Sequence, residues 1–304
     1  MRIDLPARGL HLEATSHGQP ADPAVIMIMG LGLQLIFWPE ELIQALTDAG
    51  FRVIVFDNRD CGLSGTRFER AYTPPQRALL AHLFRWPVRP AYRLSDMAED
   101  ILALADALEI DLFHLVGISL DGMIAQTLAA RRPDRVASLV SIMSSAGPDT
   151  APWPKLSVLR EFTRQPPRGA GRQARIEHMV RALVAVGRLH DEAEISRLRA
   201  RVAAAVDCAW RPDGIARQLL AILADCDRSA EVSRISCPVL IVHGEDDPLI
   251  RPPAARHLKK LIPRAEREII QGMAHYLPQA CLPQITAALL RHLTAANGFS
   301  KTEC

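Results

Sequence analysis

A serine, an acidic cluster and a histidine in this sequence have the chain order and local settings that nucleophilic catalysis requires. Ser119 lies between a predicted strand and a predicted helix, Asp247 follows a later predicted strand, and His275 follows the last one. A serine hydroxyl needs a base to remove its proton, and the base needs a carboxylate to orient it. We therefore predict Ser119 as the nucleophile, His275 as the base and Asp247 as the orienting acid.

The segment around Ser119 is similar to G-x-S-x-G, in which a serine occupies a strained turn and small residues let helix and strand approach. Gly117 fits the first glycine position, whereas Asp121 stands at the second, so the strict motif is absent, although Gly122 follows at once. The alternative interpretation of Ser119 is an ordinary helix N-cap.

Other residues compete for both partner roles. The acid could instead be Glu245 or Asp246, but Asp247 is favoured because Gly-x-x-Asp before a proline puts it just past the strand end. The base could instead be His243, which is predicted within the strand, or His257, which is predicted on a helix. Neither histidine has the loop setting that precedes the last helix.

A tetrahedral intermediate also needs N–H donors for its oxyanion. The amide after the nucleophile, that of Leu120, is one candidate, and the amide of Leu31 in the glycine loop after the first buried strand is the other. The same loop begins like G-x-G-x-x-G, the dinucleotide fingerprint. Leu35 occupies the third glycine position, so we predict neither a nicotinamide nor a flavin site, and no cofactor.

Short apolar runs alternate with amphipathic segments along most of the chain. Continuous apolar runs suit strands that are buried on both faces of a parallel sheet. The predicted strands are 2–5, 10–14, 24–29, 52–56, 112–116, 136–142, 238–242 and 266–270. The predicted helices between them are 39–49, 95–108, 120–131, 254–261 and 282–293. This order predicts an α/β fold with a mostly parallel, doubly wound sheet.

Residues 148–236 break the alternation, since they contain helical patterns and prolines but no buried strand pattern. We predict a core of residues 1–147 and 237–304 with a helical insertion, 148–236, between two core strands. A shorter proline-rich excursion covers residues 68–93. Both could shape a pocket above the strand ends, where open α/β sheets bind ligands.

Composition excludes several classes of protein. The 36 Lys and Arg residues against 34 Asp and Glu residues give a net charge of +2, without a basic run of the kind that nucleic-acid binding uses. The most apolar stretch, 24–38, is interrupted and too short for a membrane helix, and the first residues lack a secretory pattern. The six cysteines form no C-x-x-C pair, and no metal-binding spacing occurs. We expect a cytoplasmic protein without stable membrane association.

With these motifs the chain resembles the α/β-hydrolase superfamily over nearly its whole length. The segment 57–64, DNRDCGLS, is similar to the family loop D-x-R-x-x-G-x-S, and 132–136 is similar to the segment after the elbow helix. The combination of Met29-Gly30, Trp38-Pro39 and Gly122–Gln126 is most similar to bacterial esterases of the aclacinomycin methylesterase group.

The resemblance implies the same triad, the Leu31 and Leu120 amides as the oxyanion hole, and a helical cap formed by the insertion. The departure is Asp121, where the family has glycine. A carboxylate there could crowd the turn or oppose a developing oxyanion, although acidic residues are favourable in the first turn of a helix.

We therefore expect a serine hydrolase that cleaves carboxylic esters of small molecules, with an apolar part suggested by Trp153 and Trp210 in the cap. One alternative is another triad reaction, that of a lactonase, a C–C hydrolase or a perhydrolase. A second alternative is a ligand-binding protein whose catalysis is impaired by Asp121. The oligomeric state and the acyl and alcohol groups do not follow from the sequence.

Overall fold

The structure is a computed structural model that describes residues 1–65, 75–84, 86–164 and 169–300. Of the excursion predicted at 68–93, residues 68–74 and 85 lie outside the described residues, as does the end of the predicted core, 301–304.

Eight strands in the described part of the chain form one sheet in the order β1-β2-β4-β3-β5-β6-β7-β8. They are β1 (Arg2–Leu5), β2 (Leu10–His17), β3 (Ala24–Ile28), β4 (Arg52–Phe56), β5 (Phe113–Ile118), β6 (Val136–Ile142), β7 (Val239–Gly244) and β8 (Glu266–Ile270). β2 pairs antiparallel with β1 and with β4, and every pair from β4 to β8 is parallel. The predicted α/β fold with a mostly parallel sheet is confirmed.

Helices cover both faces of this sheet. They are α1 (Glu40–Asp48), α2 (Pro75–Leu83), α3 (Leu94–Ala107), α4 (Leu120–Arg131), α5 (Leu156–Thr163), α6 (Arg172–Gly187), α7 (Glu192–Cys208), α8 (Pro212–Ala224), α9 (Ser229–Val232), α10 (Pro253–Leu261) and α11 (Leu282–Ser300). None of the described helices has both the length and the apolar character needed to cross a bilayer.

Strand β3 shows how the core is divided between the two faces. Side chains alternate along a strand, so Val25 and Met27 join the apolar cluster with residues of α1 and α11. Ile26 and Ile28 face the other way and join the cluster with residues of α3 and α4. A continuous apolar run is therefore required here, because neither face of the strand meets water.

The chain between β6 and β7 is helical in its described residues, where α5 to α9 follow one another without a strand. We refer to residues 148–236 as the cap segment. It leaves the sheet at the carboxyl end of β6, and several of its residues line a cavity together with Ser119 at the end of β5.

Several elements extend beyond their predicted limits, and in two strands the extension pairs with a neighbouring strand. β2 continues to His17, which pairs with Val53 of β4. β5 continues to Ile118, which pairs with Ile142 of β6. The last helix continues to Ser300 instead of ending near Leu293.

Candidate active site

Ser119 is the single residue between the end of β5 and the start of α4. Its backbone has φ 57° and ψ −119°, a conformation that L-residues rarely adopt and that costs about 1–3 kcal/mol. Two hydrogen bonds hold this residue in place: its N–H donates to the carbonyl of Ile142 (2.9 Å), and its carbonyl accepts the hydroxyl of Ser144 (2.7 Å). The strain and its support present the Ser119 side chain above the sheet edge.

Gly117 and Gly122 allow the close packing that such a turn needs. A Cβ at Gly117 would overlap the carbonyl oxygen of Asp121, and a Cβ at Gly122 would lie 2.6 Å from the Cβ of Ser144. The glycine that permits helix and strand to approach is therefore one position later than in G-x-S-x-G.

The side chain of Asp121 projects into the protein interior, and the residue is fully buried, with 0% of its surface exposed. The side-chain amide of Asn58 donates to Oδ1, while Oδ2 has no partner among the described residues. Burial raises the pKa of the Asp121 carboxyl well above its usual range, against a smaller lowering by the Asn58 hydrogen bond. The raised pKa favours the neutral acid, so the group carries less negative charge near Ser119 than its residue type suggests.

Ser119, His275 and Asp247 lie together at the carboxyl ends of β5, β8 and β7. His275 Nε2 is 2.9 Å from Ser119 Oγ, and His275 Nδ1 is 2.7 Å from Asp247 Oδ2. A carboxylate only accepts hydrogen bonds, so Nδ1 carries the proton and Nε2 is free to accept one from the serine. The other oxygen, Asp247 Oδ1, accepts the N–H groups of Leu249 and Ile250 at 2.9 Å each.

The competing histidines are placed elsewhere. His243 lies in β7 with Nε2 3.6 Å from Asp247 Oδ2, but this nitrogen donates to the carbonyl of Ile250 (2.7 Å). Burial lowers the pKa of His243, while Asp247 raises it by less. His257 is on α10, with Nε2 3.0 Å from the hydroxyl of Ser229. Neither ring contacts Ser119.

The competing acids are exposed. Asp246 pairs with Arg188 of the cap segment at 2.8 Å, and Glu245 lies at the surface. Asp247 is 2% exposed, and it is the one member of this cluster that contacts His275.

The two amides expected to form an oxyanion hole flank the serine. Leu120 begins α4, so its N–H belongs to the unpaired first turn of the helix. Leu31 follows Gly30, whose added Cβ would lie 3.5 Å from the Cβ of Ser119. Within the described part of the chain, neither N–H donates to another residue. Both residues line the cavity described next.

A cavity of about 270 Å³ lies above Ser119 and His275. Its wall is almost entirely apolar and comes from the glycine loop, the segment before α5, and helices α2, α5, α6 and α8; representative side chains are Leu79, Trp153, Leu183 and Leu219. Trp210 packs beneath the guanidinium of Arg175 instead. An apolar pocket with few polar groups is typical of small-molecule sites.

The polar side chains in this wall contact other residues of the chain. Ser145 Oγ donates to the carbonyl of Gly147 (3.2 Å), and an Arg201 nitrogen donates to the carbonyl of Phe37 (3.3 Å). Ser119 and His275 face the same cavity.

One group of metal-ligating side chains lies at the cavity wall in the described residues: His82, Asp149 and Cys226, whose ligand atoms are within 4.8 Å of one another. His82 Nε2 faces Asp149 Oδ1 (3.2 Å), whereas Nδ1 faces Cys226 Sγ (3.8 Å). The two partners therefore contact opposite nitrogens of one ring.

The cap segment makes a main-chain contact with the catalytic candidates that sequence patterns did not predict. The N–H of His275 donates to the carbonyl of Val186 at the end of α6 (3.1 Å). A main-chain carbonyl leaves no signal in residue type, and 89 positions separate the two residues in the sequence.

Comparison with known proteins agrees with the fold. A family model described as alpha/beta hydrolase fold matches residues 23–278. The chain is 30% identical over 303 residues to rhodomycin D methylesterase DauP of Streptomyces sp. strain C5, which covers 92% of this chain and 94% of that protein. It is 27% identical over 288 residues to a putative carbamate hydrolase, RutD, of Caulobacter sp. strain K31, which covers 94% and 96%.

Solved structures share the same fold at lower identity. The enol-lactonase of Burkholderia xenovorans LB400 superimposes with a TM-score of 0.72 and 22% identity, over 94% of this chain and 97% of that chain. At this identity the likeness concerns the fold alone.

Proposed function

The chain belongs to the α/β-hydrolase family, and we propose that it is a serine hydrolase that cleaves carboxylic esters of small molecules through an acyl-enzyme. The observation that carries the proposal is the pair of hydrogen bonds joining Asp247, His275 and Ser119 beneath an apolar cavity. The relative of 30% identity that is named a methylesterase supports ester cleavage over the lactonase, C–C hydrolase and perhydrolase alternatives.

In the first half-reaction Ser119 Oγ attacks the ester carbonyl while its proton moves to His275 Nε2. Asp247 accepts from Nδ1–H and so stabilises the imidazolium that forms. The negative oxygen of the tetrahedral intermediate accepts the N–H groups of Leu31 and Leu120. When the intermediate collapses, the C–O bond to the alcohol breaks, and the alcohol leaves with the proton from Nε2.

In the second half-reaction water takes the place of the alcohol. It gives a proton to His275 Nε2 as its oxygen attacks the acyl carbon, and collapse of the second tetrahedral intermediate returns the proton to Ser119 and frees the carboxylic acid. Groups of the chain supply every transfer, so we propose no cofactor.

We propose that residues 148–236 form a cap and that residues 1–147 and 237–304 form the hydrolase core. The apolar side chains that the cap segment places over Ser119 favour an uncharged ester with an apolar part. Burial of such a substrate is favourable in proportion to the apolar area removed from water.

The test is hydrolysis of short and medium p-nitrophenyl esters by the wild type and by Ser119→Ala, with labelling by a fluorophosphonate that traps activated serines. Ser233→Ala is the matched control, because Ser233 is exposed and its hydroxyl donates only to the carbonyl of Ala230. We expect turnover and labelling in the wild type and the control, and loss of both in Ser119→Ala. A wild type that neither hydrolyses these esters nor is labelled would contradict the proposal.

A further inference from the structure

The loop that carries Leu31 is a tight turn of residues 30–33. The N–H of Leu33 donates to the carbonyl of Gly30 (3.0 Å), and Gly32 has φ +67°, which at the third position is typical of a type II turn. The Gly30 carbonyl and the Leu31 N–H belong to one planar trans peptide and point in opposite directions. Holding that carbonyl therefore fixes the direction of the Leu31 N–H.

The next peptide of the same turn is held by a side chain from the cap segment. Oε1 of Gln218, on α8, accepts the N–H of Gly32 at 2.9 Å, and Nε2 of Gln218 donates to the carbonyl of Arg59 at 2.9 Å. Gln218 is 1% exposed, so water does not compete for these groups. Both peptides that flank Leu31 are thus fixed, one within the turn and one by Gln218.

Helix α8 is itself fastened to the core beside this contact. Arg217 donates twice to the carboxylate of Asp60, at 2.7 and 2.9 Å, and both side chains are buried. A Cβ at Gly214 would overlap the carbonyl oxygen of Asp60, so the start of α8 lies directly on the core backbone. The Gln218 amide therefore meets Gly32 from a rigid support.

A second cap helix holds the end of the same loop. Nε2 of Gln34 donates to the carbonyls of Ala205 (2.8 Å) and Ala209 (3.1 Å) at the end of α7. Ile215 of α8 lies over the turn, where a Cβ on Gly32 would come within 2.5 Å of its Cγ1. The loop is thus enclosed by cap residues on the side away from the sheet.

We propose that Gln218 is a positioning residue for the oxyanion hole: it reaches from the cap to hold the 30–33 turn in the form that directs the Leu31 N–H at the reacting carbonyl. The inference rests on the proposed function and goes beyond it, because it assigns a role in the chemical step to a cap residue that need not touch the substrate.

The physical basis is the acceptor that Gln218 gives to the Gly32 N–H, because this bond anchors the whole 30–33 turn to the cap segment. Without that acceptor the partly buried Gly32 N–H loses its partner, which favours a shift of the turn toward another acceptor. A shift of the whole turn moves the Leu31 N–H with it. Displacement of one oxyanion donor affects the transition state more than the bound ester, since the charge develops only there.

The decisive variant is Gln218→Met, which keeps the length of the side chain and removes both polar groups. We expect kcat for a p-nitrophenyl ester to fall about 10- to 100-fold while KM changes less than about twofold. Phenylboronic acid, which adds to a catalytic serine as a tetrahedral anion, should lose affinity by a similar factor. A variant that only loosened the cap would raise KM instead.

Gln218→Glu provides the conservative rescue. At a buried position the carboxyl stays neutral below its raised pKa, and the neutral acid can accept from Gly32 with one oxygen and donate to Arg59 with the other. Its kcat relative to the wild type should therefore exceed that of Gln218→Met and rise as the pH falls. Gln284→Met, at an exposed glutamine of α11, is the control and should match the wild type.

The outcomes separate the two proposals. An active wild type with unchanged kcat and boronate affinity in Gln218→Met overturns the positioning role alone. A parallel loss in Gln218→Met that Gln218→Glu does not relieve as the pH falls also overturns it, because the role then does not depend on the hydrogen bonds. A wild type that cleaves no ester overturns the proposed function and this inference with it.

Discussion

Replacing Asp121 by asparagine tests whether the buried carboxyl near Ser119 is neutral. Asparagine has nearly the same shape and keeps an oxygen that can accept from Asn58, but it does not titrate. Burial raises the pKa of Asp121 in the folded protein above its unfolded value. Between those two pKa values the folded chain binds more protons than the unfolded chain, so the free energy of unfolding of the wild type falls as the pH rises.

The size of the effect follows from how steeply the free energy of unfolding depends on pH. Each pH unit in that window lowers the free energy of unfolding of the wild type by about 1.4 kcal/mol relative to a variant without the group. The stability advantage of Asp121→Asn should therefore grow by this amount per unit from about pH 4 up to the folded pKa and stay constant above it. In melting temperature the difference grows by roughly 2 °C per pH unit.

The assay is urea unfolding of both proteins at successive pH values, with Asp48→Asn at an exposed position of α1 as the control. A stability difference between Asp121→Asn and the wild type that does not change with pH would refute the reasoning.

Asp121→Gly tests whether the carboxyl affects activity. Because Gly117 and Gly122 already provide the close approach, we expect no gain in kcat/KM; a rise of tenfold or more would show that the carboxyl impairs catalysis and would favour the ligand-binding alternative.

Three further substitutions follow from the contacts. Asp247→Asn should lower kcat for a p-nitrophenyl ester about 10³- to 10⁴-fold, because an amide can hold the histidine in the wrong tautomer; a loss below tenfold would contradict its role as the orienting acid. Gly122→Ala should destabilise the fold by about 1–3 kcal/mol in urea unfolding, whereas Gly171→Ala, where nothing lies within 4 Å of the added Cβ, should be tolerated; equal effects would contradict the packing. Arg217→Met should destabilise the fold by about 3–5 kcal/mol because the buried Asp60 loses two charge-assisted hydrogen bonds, and adding Asp60→Asn should restore part of the loss; if the effects of the two substitutions simply add in the double variant, the coupling is refuted.

The parallel sheet was predictable because a strand that is buried on both faces is apolar at nearly every position. The run 24–28 is apolar at every position since its two faces meet different helix layers. The order of Ser119, Asp247 and His275 was equally informative, because parallel strands deliver their carboxyl ends to one edge. Local patterns could thus place these three residues near one another without knowledge of the packing.

The surroundings of Asp121 were not predictable in the same way. The motif suggested a carboxyl that crowds the turn, but the side chain leaves the turn toward Asn58, 63 positions earlier in the chain. Whether a buried polar group has a partner depends on residues brought together by the fold, and no periodicity records that. The requirement for glycine moved to position 122 for a similar reason, since the obstacle there is the side chain of Ser144 after the next strand.

Opening of the cap segment would disturb the surroundings of His275 and Leu31. It supplies cavity wall, but α6 also accepts the N–H of His275, and α8 accepts the N–H of Gly32 beside Leu31. Lifting α6 away from the core would break its hydrogen bond with the N–H of His275, and lifting α8 would break its hydrogen bond with the N–H of Gly32. Changes in cap residues that alter which ester fits should therefore also alter the rate of the chemical step, because the same helices set both.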